Sequence, residues 1–145
     1  MKTIVLYGRG NTGKSTAIRR FFDKYVKDNS SYTIIKESIE AVDIRIKAVC
    51  NGKTVGIISH GDNEYCAQDG LDYVGDCDIL ICASRSKGAP KDLIKRKSNE
   101  IIWIEKETLY ADGIIPSGEI QWLQAEQAEN AATRINNEIL QLLLK

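Results

Sequence analysis

Eight consecutive residues, Gly8-Arg9-Gly10-Asn11-Thr12-Gly13-Lys14-Ser15, combine the groups needed to hold a polyanion. Gly8, Gly10 and Gly13 admit backbone conformations closed to residues with a Cβ, so successive N–H groups can turn inward as an anion-binding nest. Lys14 brings a compact positive charge. Ser15 brings a hydroxyl that can take one position on a hard divalent cation. The run follows the apolar stretch Thr3-Ile4-Val5-Leu6-Tyr7, which reads as a buried strand. It precedes Ala17, Ile18, Phe21, Phe22 and Tyr25, which recur at helical spacing. A helix opening near Gly13 aims its positive dipole end at the same spot. Phosphate binding by Gly8, Arg9, Gly10, Asn11, Thr12, Gly13, Lys14, Ser15 and Thr16 is therefore the chemistry expected of this segment.

The pattern G-x-x-x-x-G-K-[ST], set between a strand and a helix, resembles the Walker A motif of the P-loop NTPase superfamily at every required position. That resemblance implies a three-layer α/β/α fold binding a nucleoside triphosphate with Mg2+. It assigns Lys14 to the β- and γ-phosphates, as a catalytic group, and Ser15 to the metal. It covers the first fifteen residues specifically and the rest only by its order of elements, and it names no subfamily.

A second landmark is Val55-Gly56-Ile57-Ile58-Ser59-His60-Gly61-Asp62. In P-loop proteins the buried strand beside the phosphate-loop strand usually ends in an Asp that holds magnesium, directly or through water. Here that position is Ser59. Asp62 is the expected replacement, as a catalytic and metal-facing carboxylate, although it also suits the N-cap of a following helix. A hydroxyl at Ser59 brings no charge, so the site is expected to bind nucleotide well and hydrolyse it slowly. His60, the sole histidine, changes charge near neutral pH and can meet phosphate or carry a proton; a solvent-facing role is the alternative.

Ser84-Arg85-Ser86-Lys87-Gly88-Ala89-Pro90-Lys91 is the third landmark. From Arg85 to Lys97 six residues of thirteen are basic and one is acidic, in a chain otherwise balanced. Arg85 and Lys87 lie nearest the end of the preceding strand, so they are expected to meet phosphate or stack on a base, with Arg85 as a catalytic candidate. Lys91, Lys95, Arg96 and Lys97 read as a solvated helix face. Guanine-specific P-loop proteins usually carry Asn-Lys-x-Asp after a late strand. Ser84-Arg85-Ser86-Lys87 occupies the comparable place without that carboxylate, which makes ATP the expected ligand.

The elements that must position these groups can be read in order. After the first strand and helix, Tyr32 to Lys36 reads as a strand. Asp43 to Val49 alternates polar with apolar residues, and Asn51-Gly52 turns it into the buried run Thr54 to Ile58. Asn63 to Val74 reads as a helix, Asp78 to Ala83 as a buried strand, Pro90 to Lys97 as a short helix and Ile101 to Ile104 as a strand. A long helix from about Ser117 to Leu144 carries Ile120, Leu123, Ala128, Ala131, Ile135, Ile139 and Leu142 along one face. Alternating strands and helices predict an α/β fold with a mostly parallel sheet, one antiparallel hairpin strand and ligands at the carboxyl ends of the strands.

All 145 residues are expected to form one domain. Twenty basic and twenty acidic residues leave no net charge to favour nucleic acid or a membrane. No apolar run approaches spanning length and no leader pattern opens the chain, so a cytoplasmic protein is expected. Cys50, Cys66, Cys77 and Cys82 lack the paired spacing of a zinc site. Three functions fit these residues: an Mg-dependent NTPase acting as a hydrolase or switch, a small-molecule or nucleotide kinase, and a non-hydrolysing nucleotide sensor. Trp122 and the apolar end of the last helix leave room for a protein partner or a homodimer.

Overall fold

Both faces of β1 (Lys2–Gly8) are covered, which is why its sequence is an unbroken apolar run rather than an alternating one. The computed structural model describes residues 1–8, 13–41, 43–60, 64–85, 89–105 and 117–144. After β1 come α1 (Lys14–Phe21), continued by a π-helical turn over Phe22–Val26, then β2 (Tyr32–Glu40), β3 (Asp43–Cys50) and β4 (Lys53–Ile58). There follow α2 (Glu64–Val74), β5 (Ile79–Arg85), α3 (Ala89–Lys97), β6 (Glu100–Glu105) and α4 (Ser117–Leu143).

The strands form one sheet in the order β2-β3-β4-β5-β1-β6. β1 runs parallel to β5 and β6, and β4 parallel to β5. β2 with β3 and β3 with β4 are antiparallel. The expectation of a mostly parallel sheet with one hairpin strand is thus corrected to a mixed sheet, in which β2, β3 and β4 make an antiparallel meander. Connection length is the cause. Asn51 and Gly52, at φ 53° and 76°, close the β3–β4 link, and Ala41, at φ 53°, lies in the β2–β3 link. Links this short cannot make the crossover that parallel neighbours require. A second correction concerns neighbours: β4 does not lie beside β1, because β5 stands between them.

One face of the sheet, with Ile4, Leu6, Ile57 and Ile81, packs under α1 and α4. The other, with Val5, Ile58, Leu80 and Cys82, packs under α2 and α3. On α1 the buried positions Lys14, Ala17, Ile18 and Phe21 fall at helical spacing. On α4, Ala128, Ala131, Ile135, Ile139 and Leu142 form the expected stripe, while the side chains of Ile120 and Leu123 lie outside the described residues. α2 approaches the end of β4 so closely that a Cβ on Gly70 would lie 2.5 Å from Cγ2 of Ile58. Arg45 ties α2 to β3 by bonding Asp69 at 2.7 Å and lying over the ring of Tyr73. Among the described residues, no helix is long and apolar enough to cross a membrane.

β1 and β5 are neighbours whose connections leave in opposite directions. From β1 the chain passes through α1 to β2 at one edge; from β5 it passes through α3, on the opposite face, to β6. In open α/β sheets ligands bind at such a divergence, outside the carboxyl ends of the two strands.

Candidate functional site

Gly8 and Gly13 flank the glycine-rich segment in the chain, at the carboxyl end of β1 and the start of α1. Gly8 is the last residue of β1 and is paired with Arg85, the last residue of β5. Gly13 stands at the N-cap of α1 with φ 83° and ψ 23°, a left-handed conformation that glycine adopts without the steric cost of a Cβ. Having no side chain, it makes no side-chain cap bond to the first N–H groups of α1. Arg9, Gly10, Asn11 and Thr12 lie outside the described residues.

Lys14 is only 5% exposed, and its ammonium donates to the carbonyl of Gly8 at 3.0 Å. The side chain therefore folds back onto the end of β1. A buried ammonium is costly unless polar atoms surround it, and here it is held beside an uncapped helix start. Two sources of positive potential share one spot. Thr16, in the same first turn, is exposed.

Ser15 turns the other way. Its hydroxyl donates to the carbonyl of Ser59 at 3.0 Å, joining the start of α1 to the residue just past β4. Ser59 is itself 1% exposed and tied to β3 on both sides: its N–H donates to the Ile44 carbonyl at 3.1 Å, and its Oγ accepts the Ile44 N–H at 2.8 Å. The same Oγ lies 3.4 Å from Oδ1 of Asp43, the first residue of β3. Ser15, Ser59 and Asp43 thus form a chain of oxygens from the start of α1 to a carboxylate.

Asp43 is the residue that the sequence reading missed. It reads there as the first polar position of an alternating strand. A signal was present in the Asn51-Gly52 turn, because a strand antiparallel to β4 must start where β4 ends, at the ligand edge of the sheet. Asp62, the carboxylate expected in this role, lies outside the described residues, as do Ser86, Lys87 and Gly88. β5 runs further than expected, through the buried Ser84 to Arg85, so these two residues belong to the strand and not to the basic loop. Arg85 ends beside Gly8 in backbone register; the ligand contact expected of its side chain lies outside the described residues.

His60 is exposed and lines a cavity of about 250 Å3 between the β2–β3 hairpin and α2, with Glu40, Asp43, Tyr65 and Cys66 also in its walls. The four cysteines are free thiols. Burial pushes the Cys82 thiol up to about 12, which keeps it protonated and a poor nucleophile at neutral pH. No family model, curated protein or solved structure matches the chain.

Proposed function

We propose that the chain is a P-loop protein that binds a nucleoside triphosphate, ATP in preference to GTP, outside the carboxyl ends of β1 and β5, and acts in the cytoplasm as an Mg-dependent NTPase or nucleotide-dependent switch. The single observation that carries this reading is Lys14, a lysine buried at an uncapped helix start with its ammonium on Gly8. A plain strand-to-helix turn gains nothing from burying a charge there. A polyphosphate gains a fixed cation, N–H groups free of a side-chain cap and the helix dipole together. The lean to ATP rests on the lack of an Asn-Lys-x-Asp segment after β5.

The oxygen donors suit magnesium. Among the described residues no group of three or more His, Cys, Asp or Glu side chains is placed to hold a metal. Magnesium does not need one, since it is ordinarily bound through one or two carboxylates together with phosphates and waters. Ser15 would hold it from the protein side, and the bound ion would neutralise charge on the phosphates. Lys14 would hold the phosphates and Ser59 would fix Ser15.

A kinase reading is favoured by one specific observation, the cavity beside Ser59, which offers room for an acceptor next to the expected γ-phosphate. Single-turnover release of γ-phosphate, with and without candidate acceptors, separates the two. Binding itself is tested by calorimetry with Mg-ATP on the wild type and on Lys14→Met. Removing a desolvated charge contact should weaken affinity about 100-fold or more. The thermal midpoint without ligand should move by no more than about 5 °C, since loss of the ammonium's hydrogen bond to Gly8 costs about 1.5 kcal/mol. Equal affinity in the two proteins would remove the phosphate-loop assignment.

A further inference from the structure

We infer that Asp43, reaching the site from the antiparallel strand β3, supplies the carboxylate charge of the magnesium site that Ser59 cannot; the inference rests on the nucleotide-binding function proposed above. Three observations lead to it. First, Ser59 stands just past the end of β4 and receives the Ser15 hydroxyl on its carbonyl, yet it is buried and its own hydroxyl is already an acceptor for the Ile44 N–H. It has no charge to give. Second, Asp43 and Ser15 both reach this one residue, Asp43 at its Oγ and Ser15 at its carbonyl. A carboxylate and the hydroxyl that would face the metal are therefore held by a common support. Third, Asp43 also lines the cavity of about 250 Å3, so the residue borders open space and not packed core.

The contact to Ser59 is long for a hydroxyl hydrogen bond. A carboxylate has about four lone-pair sites, and this contact engages one of them weakly. Asp43 is accordingly placed by β3 without being consumed by Ser59. Magnesium keeps most of its waters, so Asp43 can act on the ion directly or through a bound water. In either case its charge, rather than its shape, is what matters.

Asp43→Asn keeps the shape and an oxygen for the Ser59 hydroxyl while removing the charge. The measurement is an electron paramagnetic resonance titration of MnCl2 into the full chain holding a non-hydrolysable ATP analogue, with calorimetry of the same analogue in EDTA. Mn2+ affinity of the complex should fall about tenfold or more in Asp43→Asn, as for removal of an outer-shell partner, and Asp43→Glu should recover part of the loss. Affinity for the analogue in EDTA should stay equal or rise, because one negative charge near the phosphates has gone. A structural role alone predicts no change in Mn2+ affinity from so conservative a substitution. Wild-type Mn2+ affinity in Asp43→Asn, with loss in Asp62→Asn instead, overturns the inference and leaves nucleotide binding standing. A wild-type chain that binds no nucleotide in either condition removes both.

Discussion

Ser59 holds more of the site together than its lack of charge suggests. Three of its hydrogen bonds, two exchanged with Ile44 and one accepted from Ser15, fasten β4, β3 and α1 at one point. Ser59→Ala leaves the Ile44 N–H buried without its acceptor, which should cost about 1–3 kcal/mol in urea unfolding. Ser59→Asp is the sharper test, because it writes in the residue the motif would lead one to expect. The new carboxylate would lie against Asp43, and two like charges at such a distance raise the pKa of one of them. Destabilisation should therefore be larger at pH 8, where both are ionised, than at pH 5, where the raised group takes up a proton. Equal losses at the two pH values would mean that Asp43 does not face this position.

At the scale of elements, the site depends on how β4 and β5 are clamped together at the opposite end of the sheet. Asp78, just before β5, accepts the N–H of Thr54 at 2.9 Å and its hydroxyl at 3.2 Å. The Thr54 backbone N–H first, then its hydroxyl, hold the Asp78 carboxyl below its usual range. Glu129 of α4 is held low in the same way, by the hydrogen bond from Arg20 and then that from Lys24, which bind α4 to α1 and its π-helical turn. The sign follows from linkage. A carboxyl with a lowered folded pKa adds stability above its ordinary pKa and loses it as pH falls through the lowered one. Asp78→Ala should thus lower the thermal midpoint at pH 7, and the gap to wild type should narrow below about pH 4. Asp78 is exposed and Glu129 half-buried, so each effect is small and weakens with salt.

Much of this element-level design is legible in the sequence because it is local. The spacing of Ala17, Ile18 and Phe21 gives α1, and Asn51-Gly52 gives the β3–β4 hairpin. Pairing between distant strands has no such local signal. Nothing near Val55 or Ile79 says that β5 will separate β4 from β1. Asp43 stayed hidden for that reason: its meaning comes from the residue opposite, Ser59, not from its neighbours in the chain. The π-helical turn at Phe22–Val26 was equally unreadable, since Phe22 and Val26 are buried as an ordinary helix would bury them.

At the scale of the molecule, the start of α1, where the proposed phosphate site lies, is joined to the whole core. α1 starts at the loop and shares one apolar cluster with α4, β3, β4 and β5, so a ligand held at Lys14 draws on the stability of the entire chain. Mg-ATP at about 100 times its Kd should add about 2.7 kcal/mol, which for a chain of this size raises the thermal midpoint by roughly 5–10 °C. Lys14→Met should abolish the shift. Protection from hydrogen exchange should concentrate where β1, β4 and β5 end and α1 begins. The edge strand β2, where Ile35 and Ile39 are 54% and 40% exposed, should exchange as before. The comparison of nucleotides then tests the base: ATP should raise the midpoint at least as much as GTP at equal concentration. A shift with GTP and none with ATP would keep the phosphate site, reject the adenine preference, and require a guanine contact formed by groups other than an Asn-Lys-x-Asp segment.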